Sequence, residues 1–159
     1  MSKIAVIPAR GGSKRIPLKN IKEFNGAPLI SYSIKAALES KLFDKVVVST
    51  DDEKIASVAK SFGAEVPFLR DKSLADDFTG TFAVVKDAYL KLKDSFSSLD
   101  TVCCIYATAP LLKAKHLQEA YNLMQNLLSV SVNFLSLFKE LLSKMTMVTC
   151  HIVSLNLLL

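Results

Sequence analysis

The sequence predicts an α/β fold built on a doubly wound, mainly parallel sheet. Three observations carry that expectation. Short unbroken apolar runs recur (KIAVIPA at 3–9, VVVS at 46–49, TVCCIY at 101–106), as strands buried on both faces require. Segments with helical spacing of apolar residues lie between them. Glycines, prolines and capping residues mark the joints, so strand and helix alternate along the chain.

The elements follow in order. Lys3–Ala9 is the first strand, and residues 10–20 form a polar loop rich in glycine and cations. Asn25-Gly26 is a tight-turn signal. Residues 29–41 place Ile30, Ile34, Ala37 and Leu38 on one helical face. Val46–Ser49 is the second strand. Thr50-Asp51-Asp52-Glu53 reads as a capping box, with Thr50 as N-cap, opening a helix that runs to about Phe62 and closes at Gly63. Glu65–Leu69 reads as a short third strand. Asp76–Thr81 leads into a long helix with Phe82, Val85, Tyr89 and Leu92 in register. Thr101–Tyr106 is the fourth strand, and Ala114–Gln125 a last helix. Ligands of such sheets gather beyond the carboxyl ends of the strands. The loops beginning at Arg10, Thr50, Arg70 and Ala107 should meet there.

Composition narrows the function classes. At 159 residues, half of them hydrophobic and 22% charged, the chain reads as one globular domain. No apolar stretch reaches the roughly 18 residues of a membrane span, and the N-terminus turns polar too soon for a secretory leader. Three cysteines, two of them adjacent, make neither a disulfide framework nor a CxxC zinc site. The expectation is a reduced, cytoplasmic protein without a membrane partner.

The net charge of +5 is unevenly placed. Residues 1–22 hold Lys3, Arg10, Lys14, Arg15, Lys19 and Lys22 and no acid, while the remainder carries 14 cations against 15 anions. A nucleic-acid binder spreads its basic residues over a face or helix and interleaves aromatics. One dense loop suggests a compact polyanion such as a nucleoside triphosphate, or simply a solvated basic loop. Neither the P-loop spacing nor the three-glycine dinucleotide fingerprint is present. The ingredients of a phosphate cradle are. Gly11-Gly12 lets the backbone turn sharply beside Ser13 and offer N–H groups to an anion. Arg10 can clamp oxygens bidentately, with Lys14 and Lys19 as point charges.

The string Ile7-Pro8-Ala9-Arg10-Gly11-Gly12-Ser13-Lys14, followed by Pro17-Leu18-Lys19-Asn20-Ile21, closely resembles the signature of the acylneuraminate cytidylyltransferases, the CMP-sialic acid synthetases. Residues 46–70, the LADD segment at 74–77 and TAPLLK at 108–113 agree in order, so the resemblance covers about residues 3–125. The YATAPL run is most similar to the pseudaminic acid branch. The resemblance implies a nucleotide-diphospho-sugar transferase fold that transfers CMP from CTP to a nonulosonic acid, with Mg²⁺, release of pyrophosphate and a homodimeric assembly. It makes Arg10, Lys14 and Lys19 the cations that stabilise the departing pyrophosphate. Arg10, Gly11, Gly12, Ser13, Lys14, Lys19, Asn20, Arg70, Asp77 and Thr81 become nucleotide-binding, with Asn20 and Arg70 on the cytidine. Tyr106 and Thr108 would lie near the sugar.

Simpler readings stand beside these. Arg70 could be a surface cation beside Asp71, and Asp77 a helix cap near Thr79. The pairs Asp51-Asp52 and Asp76-Asp77 both read as caps. Sialate-specific members of the family have Gln where this chain has Tyr106, which favours a different nonulosonate. No metal ligand is assigned, because no Asp follows Asp100. A cytidylyltransferase for a related acid such as KDO, or a CTP-binding fragment without chemistry, are the alternatives.

The last stretch differs from the rest. Residues 126–159 hold three charged residues and ten leucines in 34 positions, with no Gly, Pro or Asp. The chain therefore reads as a CTP-binding part over 1–125 and an atypical apolar tail over 126–159. The expectation is an incomplete form, altered by a change of reading frame.

Overall fold

The computed structural model describes residues 2–129 and 150–154. Its central sheet has the order β4-β1-β5-β6, with β1 at Ser2–Pro8, β4 at Lys45–Ser49, β5 at Leu99–Ile105 and β6 at Cys150–Ser154. β1 pairs in parallel with both β4 and β5, and β6 runs antiparallel to β5. The expected doubly wound, mainly parallel α/β sheet is present. A small hairpin, β2 at Glu23–Phe24 and β3 at Ala27–Pro28, lies apart from it. Asn25 and Gly26 at its tip both have positive φ, 47° and 81°, as a two-residue type I′ turn demands.

The alternation of side chains along each strand builds two cores. Ala5, Ile7, Val46, Val48, Cys103 and Ile105 face one side and pack against α1 (Leu29–Ser40), α2 (Glu53–Ser61) and α4 (Ala114–Ser129). Ile4, Val6, Val47 and Val102 face the other and pack against α3 (Thr81–Leu92). Helices on both faces explain why these strands are apolar at every position.

Four details depart from the sequence expectation. The strand at Glu65–Leu69 shrinks to one parallel bridge, Val47 to Glu65, because Pro67 has no N–H to continue the ladder. The N-cap of α2 is Asp52, not Thr50. Its carboxylate accepts from the N–H groups of Lys54 and Ile55 at 2.9 and 3.0 Å, while Thr50 Oγ1 accepts from Asp52 N one turn earlier. The fully buried stripe of α3 is Val84, Ala88 and Leu92. Of the four residues expected in register, Val85 and Tyr89 pack partly buried against the same core and Leu92 lies in it, but Phe82 turns outward at 59% exposure. Leu38 is likewise half exposed, lying over Gly63, whose φ of 91° closes α2. The apolar tail expected from residue 126 lies mostly outside the described residues; α4 continues to Ser129 and β6 begins at Cys150.

The capping assignment is testable. Asp52→Ala should lower stability by about 1 kcal/mol, seen as a reduced urea midpoint at constant m. Thr50→Val, which removes no acceptor from the helix start, should cost α2 less; the reverse ranking would restore Thr50 as the cap.

Candidate functional site

Three parallel strands end side by side, and each hands the chain to a loop at the same edge of the sheet. β1 leads to Arg10, β4 to Thr50-Asp51 and β5 to Tyr106-Ala107-Thr108. Between them lies a cleft of about 270 Å³. Arg10, Ser13, Lys19, Asn20, Arg70, Asp77, Thr81, Tyr106 and Thr108 all line it, so nine of the expected site residues converge. Gly11, Gly12 and Lys14 lie in the same loop but do not line the cleft.

The loop after β1 is held from several sides. Ala9 N donates to Ser49 O at 2.9 Å, and Ser13 N closes a tight turn onto Gly11 O at 2.9 Å. Gly11 is needed for a close approach: a Cβ there would meet Asp52 Cβ at 2.8 Å. Gly12 has open space around it. Leu18 takes the left-handed conformation, with φ 48°, before the short 3₁₀ turn Lys19–Ile21. That turn buries Asn20, whose side-chain amide donates to Arg10 O at 3.0 Å. Asn20 therefore fixes the backbone of the first cation.

Arg10 reaches across the cleft. Its Nη1 donates to Asp76 O, and its Nη2 pairs with Asp77 Oδ1 at 2.7 Å. Lys14, 82% exposed, brings Nζ to the other oxygen of Asp77. Asp77 is thus no cap. Asp76 is no helix cap either: it closes a local turn ahead of α3, accepting from Phe78 N and Thr79 N at 3.0 and 2.6 Å. Hydrogen bonds from Lys14 and Arg10 hold the Asp77 carboxyl below its ordinary value of 3.8. Because the folded value is depressed, this contact supports the loop above that pH and is lost as pH falls below it.

Arg70 is not the surface cation that its neighbour Asp71 suggested. It is 5% exposed, and Asp71 turns away to accept from Ser73 N at 2.8 Å. Arg70 N donates to Thr50 O at 2.7 Å, which sets its side chain beside Asp51, with Nη2 3.7 Å from Oδ1. Its Nε and Nη2 are buried and make no hydrogen bond. Desolvation lowers its proton affinity, opposed by the Asp51 charge. A buried guanidinium with open donors at a cleft is a site for an acceptor-rich ligand. Thr81 opens α3, whose start has no side-chain cap, so backbone N–H groups add to the positive side of the cleft.

Sequence reasoning missed the contacts of Asp51, taken as a cap. It also missed Leu74, Thr79 and Val84, which share the wall with Pro8, Asp76 and Ala107. The signal for Asp51 was its place two residues beyond a strand's carboxyl end. Among the described residues, no three His, Cys, Asp or Glu side chains gather to hold a metal. No helix there is long and apolar enough to cross a membrane.

A protein-family model described as Cytidylyltransferase matches residues 4–151. The chain is 55% identical over 121 residues to a pseudaminic acid cytidylyltransferase of Campylobacter jejuni, covering 76% of this chain and 52% of that one. It is 42% identical over 117 residues to a CMP-N,N'-diacetyllegionaminic acid synthase of Legionella pneumophila, covering 74% and 50%. Its fold matches CMP:2-keto-3-deoxy-manno-octonic acid synthetase complexed with CTP at a TM-score of 0.67, with 21% identity over 79% of this chain and 48% of that one. The chain spans about half the length of the curated relatives it matches.

Proposed function

Because the chain belongs to the cytidylyltransferase family, we propose that its cleft binds CTP and serves transfer of CMP to a nonulosonic acid. The carrying observation is the convergence of Arg10, Lys19, Asn20 and Arg70 on one cleft at the carboxyl edge of the sheet. The identity of 55% to a pseudaminic acid cytidylyltransferase supports pseudaminic acid as the acceptor. Tyr106 in the cleft wall, where the sialate-specific pattern has Gln, points the same way. Residues 1–125 form the CTP-binding part in this reading.

In the reaction the sugar's anomeric hydroxyl oxygen bonds to the α-phosphorus as the bridge to the β-phosphate breaks. The hydroxyl proton passes to solvent and pyrophosphate leaves. Arg10 and Lys19, which line the cleft, and Lys14, paired with Asp77 beside it, are the cations where that negative charge grows. To receive the triphosphate, Arg10 and Lys14 must release Asp77, which occupies them as an internal anion. Arg70 offers its donors to the cytidine, and Asn20 holds the loop that carries Arg10. Mg²⁺ is the family's ion, but the carboxylates lining the cleft are Asp76 and Asp77, one in a turn and one paired with two cations. The described residues do not make a site for it. A homodimer and a cytoplasmic location complete the proposal.

Calorimetry with CTP, and pyrophosphate release with pseudaminic or N-acetylneuraminic acid, test the two halves of this reading. CTP binding that exceeds ATP binding is the expected result, with little pyrophosphate release, since the described residues make no metal site, and more of it with pseudaminic than with N-acetylneuraminic acid. Equal affinity for both nucleotides would leave only a polyanion site.

A further inference from the structure

We infer that Asp51 is a positioning residue that ties the anion-binding loop to the buried Arg70. This rests on the CTP-binding reading above and adds a residue that the phosphate and base contacts alone do not call for. Asp52 next to it already caps α2, so Asp51 is free for another task. Its Oδ1 accepts from Gly11 N at 3.0 Å and faces Arg70 Nη2 at 3.7 Å. One carboxylate oxygen therefore stands between the backbone of the Arg10–Asn20 loop and the guanidinium at the other side of the cleft. Both neighbours are fixed independently. Gly11 cannot move toward Asp52, which already fills the space of a Cβ, and Arg70 is anchored by its own backbone to Thr50 O at 2.7 Å.

The charges around Arg70 make the arrangement consequential. Arg10 repels it, Asp51 and Asp87 attract it, and Asp51 is the larger of the two attractions. Without Asp51, two cations would face each other across a cleft with Arg70 desolvated. With it, the Arg70 charge has a counter-charge and the side chain a fixed direction, while buried Nε and Nη2 remain open to an acceptor. Asp51 thereby sets the spacing between a triphosphate-binding element and a base-binding element, which is the distance a nucleotide must span.

Two substitutions separate the arms. Asp51→Asn keeps an acceptor oxygen for Gly11 N–H and removes the charge opposite Arg70. Asp51→Ala removes both. With inorganic triphosphate as probe, Asp51→Asn should bind like wild type and Asp51→Ala about tenfold more weakly. With CTP, both variants should lose about tenfold or more. Equal behaviour of the two variants toward inorganic triphosphate, or undiminished CTP affinity in Asp51→Ala, would overturn the inference. A ligand-free measurement keeps it separate from the CTP reading. By NMR, exchange of the Gly11 amide should quicken in Asp51→Ala and recover in Asp51→Asn, while the Arg70 Nε–H signal should change in both. Those changes in a chain that binds no CTP would sink the nucleotide reading alone; unchanged signals would sink the Asp51 assignment.

Discussion

Replacing Arg10 with alanine is expected to weaken CTP binding by about 1.5–3 kcal/mol, roughly 10- to 150-fold, the range for a charge-assisted hydrogen bond. The geometry sets where in that range the loss falls. In the free protein Arg10 already holds Asp77 Oδ1 at 2.7 Å and Asp76 O, so binding exchanges one set of partners for another. That exchange draws the net effect toward the lower bound. It also predicts coupling. In an Asp77→Asn background the internal competitor is neutral, and Arg10→Ala should then cost more than in the wild type. Asp77→Asn alone should tighten CTP binding. Calorimetry on the four proteins of this cycle reads both effects. Unchanged affinity in Arg10→Ala would remove the phosphate assignment, and purely additive losses would remove the competition by Asp77.

The fold was readable because its strands are buried on both faces. KIAVIP, VVVS and TVCCI have no polar alternate position, and in the structure Ile4, Val6, Val47 and Val102 meet α3 while Ala5, Ile7, Val48 and Ile105 meet the opposite layer. The turn at Asn25-Gly26 and the stop at Gly63 were readable for a stricter reason: their positive φ values suit few other residues. Capping was less legible. Thr50, Asp51 and Asp52 are all acceptable at an N-cap, and only the path of the chain out of β4 decides which one faces the free N–H groups. The same ambiguity hid the division between Asp76 and Asp77.

The cleft was legible as a set of loops rather than as contacts. A doubly wound sheet brings the carboxyl ends of β1, β4 and β5 together, so Arg10, Arg70 and Tyr106 could be placed at one edge without coordinates. Their partners could not. The ion pair of Asp77 with Arg10 spans 67 positions, and that of Asp51 with Arg70 links the end of β4 to a segment beyond α2. No local pattern encodes such pairs, because they form only after the crossovers have packed. Phe82 shows the same limit on a smaller scale, since helical spacing put it in register with Val85, Tyr89 and Leu92, yet the layer on Val6 and Val102 takes up those three and leaves Phe82 outside.

Ile34→Ala is expected to lower stability by about 2–5 kcal/mol, the range for truncating a large aliphatic side chain in a closed core. Ile34 is fully buried on α1, in the cluster that joins α1 to the β1, β4 and β5 face of the sheet and to Leu117 of α4. Loss of that size is a large share of the roughly 5–15 kcal/mol that holds an ordinary domain folded. Yet Ile34 lines no part of the cleft. The expected outcome is therefore a dissociation of two readouts. Ile34→Ala should unfold at lower urea concentration while added CTP still stabilises it by the amount that the wild type gains, as mass action on an intact site requires. Arg10→Ala should show the converse, a midpoint close to wild type with much of the CTP-induced shift gone. If Ile34→Ala also lost its CTP-induced shift, the cleft would depend on α1 packing. The neighbouring contact from Ser33 Oγ to Tyr106 O, 2.8 Å long, would be the route by which the core reaches the site.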